Sequence, residues 1–493
     1  VRYQLDFKGS VEGLKRSSLR KITLVCCCLC RRCADTASLQ RWVHKHGQQL
    51  RKLQLRCVRG LAELPCPQLL QLSLQSCDFD FTAGSSSLAS SLSTATALTG
   101  LHLNKCTLLS STTAEARAEA AHLLSAVAAL TALQELSVCG VSCTASDSCP
   151  SVPVLLTTTV LQALQHLTQL QLQAEPQADA LVQHIGSMTN LRDLRLGGVP
   201  EALLWHGGQR VTPLRLNVTQ LTALTQLVRL GLRGVSLCRG GCTDAPAYGC
   251  NTCENQGDSA TNAAALLTWL PSLEGLSSLQ LRSVQGLFAG QEQHEALYPP
   301  AAAFKALTAG SGLKHIDLRG TLLTRNAWQR AFPFVRKFTS ITSLRCDPKN
   351  TLWREDSIFR LQFALDSCPS LQALQIDLSY GSWQLLQQRP SLTRLTVSGS
   401  NGLSEPLALL GQLTQLKSLE LLKLCSSTSW SSYTIHNTQL PDLAALTQLS
   451  FLVLEGDLNE ECDAALWNSL AGAAQLLSAT ASSCKWALVN KVR

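Results

Sequence analysis

Residues 50–55 read Leu50-Arg51-Lys52-Leu53-Gln54-Leu55, and this Leu-x-x-Leu-x-Leu phrase returns along nearly the whole chain. It is plain at Leu98-Leu101-Leu103, Leu167-Leu170-Leu172, Leu227-Leu230-Leu232 and Leu276-Leu279-Leu281. Substituted copies begin at Leu19, Leu133, Leu313, Ile341, Leu371 and Leu392, and further copies at Leu69, Leu191, Leu416 and Leu449. These fifteen starts stand about 31 residues apart on average, a period typical of stacked-repeat architectures. In an extended segment alternate side chains share a face, so the fourth and sixth residues of the phrase point together while their neighbours point away. One such unit cannot bury its apolar side alone, but a stack of them builds one continuous core behind a parallel sheet. The expected class is therefore an α/β solenoid, with a curved parallel sheet on the concave face and helices and loops on the convex face.

Many copies open on a small polar turn, as in Leu130-Thr131-Ala132-Leu133, Leu224-Thr225-Gln226-Leu227, Leu413-Thr414-Gln415-Leu416 and Leu446-Thr447-Gln448-Leu449. Together these residues resemble the leucine-rich repeat family over roughly residues 19–470, and the Leu-Thr-x-Leu wording is similar to irregular repeat proteins predicted in green-algal genomes. Many members carry Asn just past the third leucine, where its amide bonds neighbouring turns. None of the copies here does: the place holds Cys27, Cys77 and Cys106, then Val58, Val141, Val199, Val235 and Val284, with polar residues in most others. This leans toward cysteine-containing, ribonuclease-inhibitor-like repeats and away from receptor-like or internalin-like ones.

The expected organisation is an N-terminal flank or partial first repeat over 1–18, a solenoid over 19–458 and a C-terminal helical cap over 459–493, with 459–479 as an amphipathic helix. Irregular insertions are expected at 77–97, 139–157, 234–262, 285–310 and 426–440. Apolar spacing over 114–129 and 260–270 predicts helices between strands. The candidate Val211-Leu214-Leu216 lies only 16 residues before the next start and reads as convex-side chain, with a short repeat as the alternative. A single elongated domain absorbs all 493 residues. Apolar residues make up 45% of the chain, yet no uncharged apolar run reaches the ~18 residues that a membrane span requires.

The net charge of +8 comes wholly from the N-terminal end, because residues 1–60 carry a balance of +11 and the remainder one of −3. The basic residues there are scattered and no nucleic-acid motif accompanies them, so they read as a solvated face rather than a nucleic-acid contact. The 21 cysteines include Cys26, Cys27, Cys28, Cys30 and Cys33 after the first strand, and Cys139, Cys143 and Cys149 after the Leu133 strand. Cys238, Cys242, Cys250 and Cys253 form a third group with C-x3-C-x7-C-x2-C spacing. Four thiolates on a short loop could close on zinc, two small disulfides would suit the same residues, and loose thiols are the bland alternative. Cys30-Arg31-Arg32-Cys33 lacks the βαβ surroundings of a redox motif.

No phosphate loop, nucleophile elbow or H-E-x-x-H site is present: His294-Glu295 is followed by Tyr298 where a second histidine would stand. Asn217-Val218-Thr219 is a formal glycosylation sequon that counts only in a secreted protein. No catalysis, cofactor or small-molecule substrate is expected. The residues between core leucines project from the concave face. They are mostly Gln, Ser, His and Asn in the N-terminal half, as at Gln71, Ser73, His102, Asn104, Gln169 and Gln171. Arginine recurs later, at Arg195, Arg229, Arg233, Arg282, Arg319, Arg345 and Arg394, interleaved with Asp193, Asp317, Asp347 and Asp377. Arg233, Arg282 and Arg319 share one column and would form a basic ladder. Guanidinium forks suit carboxylates, so the candidate partner-binding residues are Arg195, Arg229, Arg233, Arg282, Arg319, Arg345, Asp317 and Asp347; a salt-bridged face without a partner is the alternative.

The expected function is recognition of a protein partner on the concave face. The family resemblance implies a cytoplasmic module, as in the substrate-recognition part of a ubiquitin ligase or a signalling assembly. A secreted or cell-surface recognition protein with disulfide-stiffened loops is the alternative reading, and an enzyme carrying the solenoid as an adjunct is a third. The chain opens at Val1, so an F-box, signal peptide or catalytic domain ahead of it stays open.

Overall fold

A computed structural model describes residues 3–6, 21–25, 36–61, 64–80, 88–109, 113–143, 158–173, 179–198, 214–237, 258–284, 312–321, 337–346, 362, 364–377, 385–386, 389, 391–398, 412–422, 446, 448–456 and 485–490. The chain divides into two compact units, residues 1–266 and 267–493.

In the first unit the described strands run Tyr3–Asp6, Lys21–Val25, Lys52–Arg56, Gln71–Gln75, Gly100–Asn104, Glu135–Cys139, Gln169–Gln173, Asp193–Gly197 and Arg229–Arg233. Each pairs in parallel with the next in chain order. The register sets leucine against leucine: Leu53, Leu72, Leu101, Leu136, Leu170, Leu194 and Leu230 form one row. All of them are buried. Single-residue slips are blocked because a shift by one would turn the whole leucine row to solvent. Within the N-terminal flank, the strand Tyr3–Asp6 pairs in parallel with Lys21–Val25.

The second unit repeats the plan with Ser278–Arg282, His315–Asp317, Ser343–Cys346, Ala373–Asp377, Arg394–Ser398, Ser418–Leu422, Phe451–Gly456 and Lys485–Asn490. These too pair in parallel and in order. Leu279, Ile316, Leu344, Leu374, Leu395, Leu419 and Leu452 share its central row. Both units therefore have the leucine-rich repeat solenoid fold. One expectation is corrected here: residues 485–490, inside the segment read as a helical cap, are a strand paired along Phe451–Gly456. Residues 459–484 lie outside the described ones.

Parallel neighbours need a crossover, and helices supply several: Thr36–His46, Leu88–Thr94, Thr113–Ala128, Thr158–Ala163, Asp179–Gly186 and Asp258–Trp269. Two of them cover the predicted helical stretches 114–129 and 260–270. Among the described residues no helix is long and apolar enough to cross a membrane.

The stretches read as irregular insertions at 77–97 and 139–157 are partly regular. Arg59–Leu61, Asp78–Asp80, Thr107–Leu109 and Ser142–Cys143 form a second parallel sheet. The chain leaves the main-sheet strands ahead of these, and others, through a fixed corner, in which the second residue past the third leucine or its substitute adopts the left-handed conformation. Cys57, Ser76, Lys105, Gly140, Gly234, Ser283 and Gly320 all have φ between 50° and 69°. At Cys57, Ser76, Lys105 and Ser283 the N–H of this residue donates to a carbonyl of the next repeat, respectively Gln75, Asn104, Cys139 and Arg319. Leu214–Arg215 pairs with Val235–Ser236 away from the main sheet, so the short candidate repeat there contributes no main-sheet strand.

The place of the missing Asn is filled by thiols and a hydroxyl. Cys77 Sγ donates to the Leu55 carbonyl at 3.6 Å and Cys106 Sγ to the Leu74 carbonyl at 3.5 Å. Thr321 Oγ1 donates to the Leu281 carbonyl and accepts from the Val284 N–H at 3.2 Å. In each case the acceptor is the third leucine of the preceding repeat. A second ladder, not foreseen from the sequence, follows the first leucine. Thr99, Thr168, Thr342, Thr393 and Ser450 each donate a hydroxyl to the carbonyl at the equivalent place one repeat earlier. These hydroxyls, which stand directly after the phrase's first apolar residue and not in the Leu-Thr-x-Leu turn before it, tie repeat to repeat.

Candidate functional site

The leucines seal one face of each sheet, and the residues between them stand on the other, open face. Parallel strands lie about 4.8 Å apart, so equivalent residues form columns. In the first unit one column runs Glu135, Gln169, Asp193 and Arg229, and the next runs Ser137, Gln171, Arg195 and Gly231. Glu135 takes His102 Nε2 at 3.5 Å on one side and Gln169 Nε2 at 3.3 Å on the other.

Asp193 is the pivot of this face. It is only 5% exposed, with Arg229 Nε 2.7 Å from Oδ2 and Arg195 Nε 3.1 Å from Oδ1. Arg195 Nη2 also donates to Oδ2 at 3.3 Å, a fork that fixes the guanidinium plane. The residue beside Arg195 is Gly231, where an added Cβ would stand 3.2 Å from the Arg195 Cγ. The glycine provides the space across which the arginine stem lies.

The second unit holds a denser version. Asp317, in register with Gln280 and Arg345, is 3% exposed. Arg319 grips it with Nε at 3.0 Å from Oδ1 and Nη2 at 2.9 Å from Oδ2. Arg282 reaches Oδ2 with Nε at 2.6 Å and Nη2 at 2.5 Å, and Arg345 Nη1 stands at 3.9 Å. Burial alone would raise the Asp317 carboxyl, but the hydrogen bonds from Arg319 and the charges of Arg282 and Arg319 hold it below the ordinary carboxylate range. Arg282 is itself pulled down, first by burial and then by Arg319 and Arg345, against the pull of Asp317. These two directions agree once the charges are counted: three cations share one anion, so the aspartate is over-neutralised and the arginines are crowded.

Among the sequence-derived candidates, the structure brings Arg195 and Arg229 together on Asp193, and Arg282, Arg319 and Arg345 together on Asp317. The basic ladder expected of Arg233, Arg282 and Arg319 takes a different form. Arg233 is an exposed residue opposite Gly197 in the first unit, while Arg282 and Arg319 are half-buried ligands of an aspartate in the second. Asp317 does not face solvent. Asp347 and the four cysteines Cys238, Cys242, Cys250 and Cys253 lie outside the described residues. Asn217 uses its side chain locally, accepting from Thr219 N at 3.3 Å and Thr219 Oγ1 at 2.7 Å to cap a short turn of helix. The importance of Asp193 is the feature that sequence reading missed. Its signal is an acidic residue directly before a core leucine with arginine directly after it, as in Asp193-Leu194-Arg195 and Asp317-Leu318-Arg319.

Burial pushes the thiol of Cys77 up to about 12, that of Cys368 to about 12 and that of Cys66 to about 11. Cys106 and Cys139 are raised for the same reason. These are protonated thiols, suited to packing and weak donation rather than to nucleophilic chemistry.

No protein-family model matches the sequence, and no curated protein matches it. Among solved structures it is similar to an internalin, InlF, from Listeria monocytogenes str. 4b F2365, at 13% identity over 86% of this chain and 87% of that one, with a TM-score of 0.25. Internalin C2 from the same strain shares 15% identity over 45% and 74% of the two chains, with a TM-score of 0.24. A TLR13–ssRNA13 complex matches at 14% identity and a TM-score of 0.38, over 85% of this chain and 62% of that one. At these scores the likenesses carry no weight for function, and the fold rests on the strand pairing above.

Proposed function

We propose that the chain is a non-catalytic recognition module that binds a protein partner on the open face of its sheets. The observation that supports this most is the pair of aspartate-centred arginine clusters. Asp193 and Asp317 are buried in the open face and pair with arginines that stay open to solvent: the side chains of Arg195, Arg229 and Arg345 are 41%, 45% and 47% exposed. Arginines held this way lose less rotamer freedom on binding, so more of each contact survives as affinity. In this reading the module is the recognition arm of a larger assembly, such as a ubiquitin ligase or a signalling complex. A cytoplasmic setting belongs to the same reading, because Cys77 and Cys106 act as thiol donors within the repeat framework, a role that disulfide formation would abolish. Those thiols also favour the cysteine-containing, ribonuclease-inhibitor-like repeat type.

Site-specific photo-crosslinking tests the reading. A photoreactive residue at Gln171 or Gln375, on the open face, should capture a defined protein from extracts of the native source. The same probe at Gln162, exposed on the helix Thr158–Ala163, should not. Capture at Gln162 alone, or at none of the three, overturns the proposal.

A further inference from the structure

The open face of the second unit carries more positive charge around Asp317 than that carboxylate can absorb, and that excess has a defined layout. One column runs His315, Ser343, Ala373 and Arg394, and the column beside it runs Asp317, Arg345, Gln375 and Thr396. His315, Arg345 and Arg394 are exposed, as is Lys314. Arg282 and Arg319 already occupy the Asp317 carboxylate, with Arg345 at the edge of its reach at 3.9 Å. The first column therefore has a cationic end at Arg394, an imidazole at the other, and a floor of two small residues, Ser343 and Ala373. Three strand spacings separate its ends, about 14 Å, which is the reach of about four residues of extended peptide.

We infer that this trough takes an acidic peptide segment, whose carboxylates meet Arg345 and Arg394 while its backbone crosses the strands over Ser343 and Ala373. The inference rests on the recognition reading above and specifies the chemistry of the partner. Carboxylates fit because the guanidinium forks bind them bidentately. A nucleic acid fits less well. Among the described open-face positions from Ser278 to Glu420 there is no Phe, Tyr or Trp on which a base could stack, and the first such ring, Phe451, stands two strands beyond Arg394. Glu420, beside Thr396 and accepting from its Oγ1 at 3.4 Å, bounds the trough beyond Arg394 and turns an acidic segment back toward Arg345 and Arg394.

The test uses the full chain and two labelled probes, a ten-residue glutamate-rich peptide and a ten-nucleotide single-stranded RNA, at low ionic strength. The peptide should bind, and the double variant Arg345→Glu/Arg394→Glu should weaken it by at least about tenfold. Arg215→Glu, on an exposed residue of the first unit, should leave binding unchanged. Both sites are on the surface, and circular dichroism confirms that each variant folds. Absence of peptide binding, equal binding by the double variant, or tighter binding of the RNA lost in that variant each overturns the inference. The two readings fail separately. If the protein crosslinked at Gln171 or Gln375 is still captured by the double variant, and the glutamate peptide does not bind, recognition stands and its acidic chemistry falls. Loss of all open-face crosslinks removes the recognition reading whatever the peptide does.

Discussion

Single residues on the open face and in the core carry distinct and separable burdens. Asp317 is a buried anion whose removal leaves Arg282, Arg319 and Arg345 facing one another. Asp317→Asn should cost about 3 kcal/mol in urea denaturation at neutral pH, the usual cost of breaking a buried ion pair from one side. The pH dependence has a definite sign. The folded carboxyl titrates below its unfolded value, so its stabilisation is complete above the unfolded value, near about pH 3.9, and is lost as pH falls through the folded one. The stability gap between wild type and Asp317→Asn should stay level at neutral and mildly acidic pH and close only in stronger acid. A gap that closes well above that range would show that the carboxylate is not held as described. For the cysteines, burial keeps Cys66, Cys77 and Cys368 protonated. Native alkylation at about pH 8 should therefore leave them unmodified, with reaction only after denaturation. Modification of Cys77 at the rate of an open thiol, read by peptide mass spectrometry, would contradict its place in the core.

At the scale of elements, the corner after each strand is the recurring device. Lys105 adopts φ 52° and Gly140 φ 63° at equivalent places. A side chain in that conformation costs roughly 1 kcal/mol that glycine avoids. Lys105→Gly should raise the denaturation midpoint, and Gly140→Ala should lower it by a similar amount, because a Cβ at Gly140 meets nothing closer than 3.6 Å and only the backbone resists. Shifts of the opposite sign would mean that the corner is not left-handed in solution. The same corner shows why the sequence was only partly legible. The strands were readable because alternation imposes leucine at two fixed places, as in Leu53 and Leu55. The corner is occupied by Cys57, Ser76, Lys105 and Gly140 in turn, so no residue type marks it. The two- and three-residue strands of the second sheet are too short to show a period, and so 77–97 and 139–157 read as insertions. Likewise, the Asp-Leu-Arg wording at Asp193 and Asp317 does not by itself separate a buried anion from a surface acid. Their arginines include Arg229 and Arg282, which a neighbouring repeat supplies; Arg282 lies 35 residues from Asp317, and only the register brings them together.

For the whole molecule, the stacking itself has a consequence for how damage spreads. Every main-sheet strand described here bonds to strands one repeat away, and the Cys77, Cys106 and Thr321 donors and the threonine ladder also reach only one repeat back. Stability in such a chain is approximately a sum of repeat and nearest-neighbour terms. A core deletion should therefore loosen its own repeat and the two beside it. Leu136 is buried between Leu101 and Leu170 in the first unit, and Leu344 between Ile316 and Leu374 in the second. Replacing either with Ala removes about 3 kcal/mol of packing. Amide hydrogen exchange should then accelerate in Gly100–Asn104 and Gln169–Gln173 for Leu136→Ala, and in His315–Asp317 and Ala373–Asp377 for Leu344→Ala. Protection at Lys52–Arg56 and at Ser418–Leu422 should hold in the respective variants, because more than one repeat intervenes. Uniform acceleration throughout a unit would instead show that it opens as a single cooperative body. In that case an open-face variant could alter binding through distant loosening, and the acidic-peptide test would need the exchange profile of Arg345→Glu/Arg394→Glu beside it.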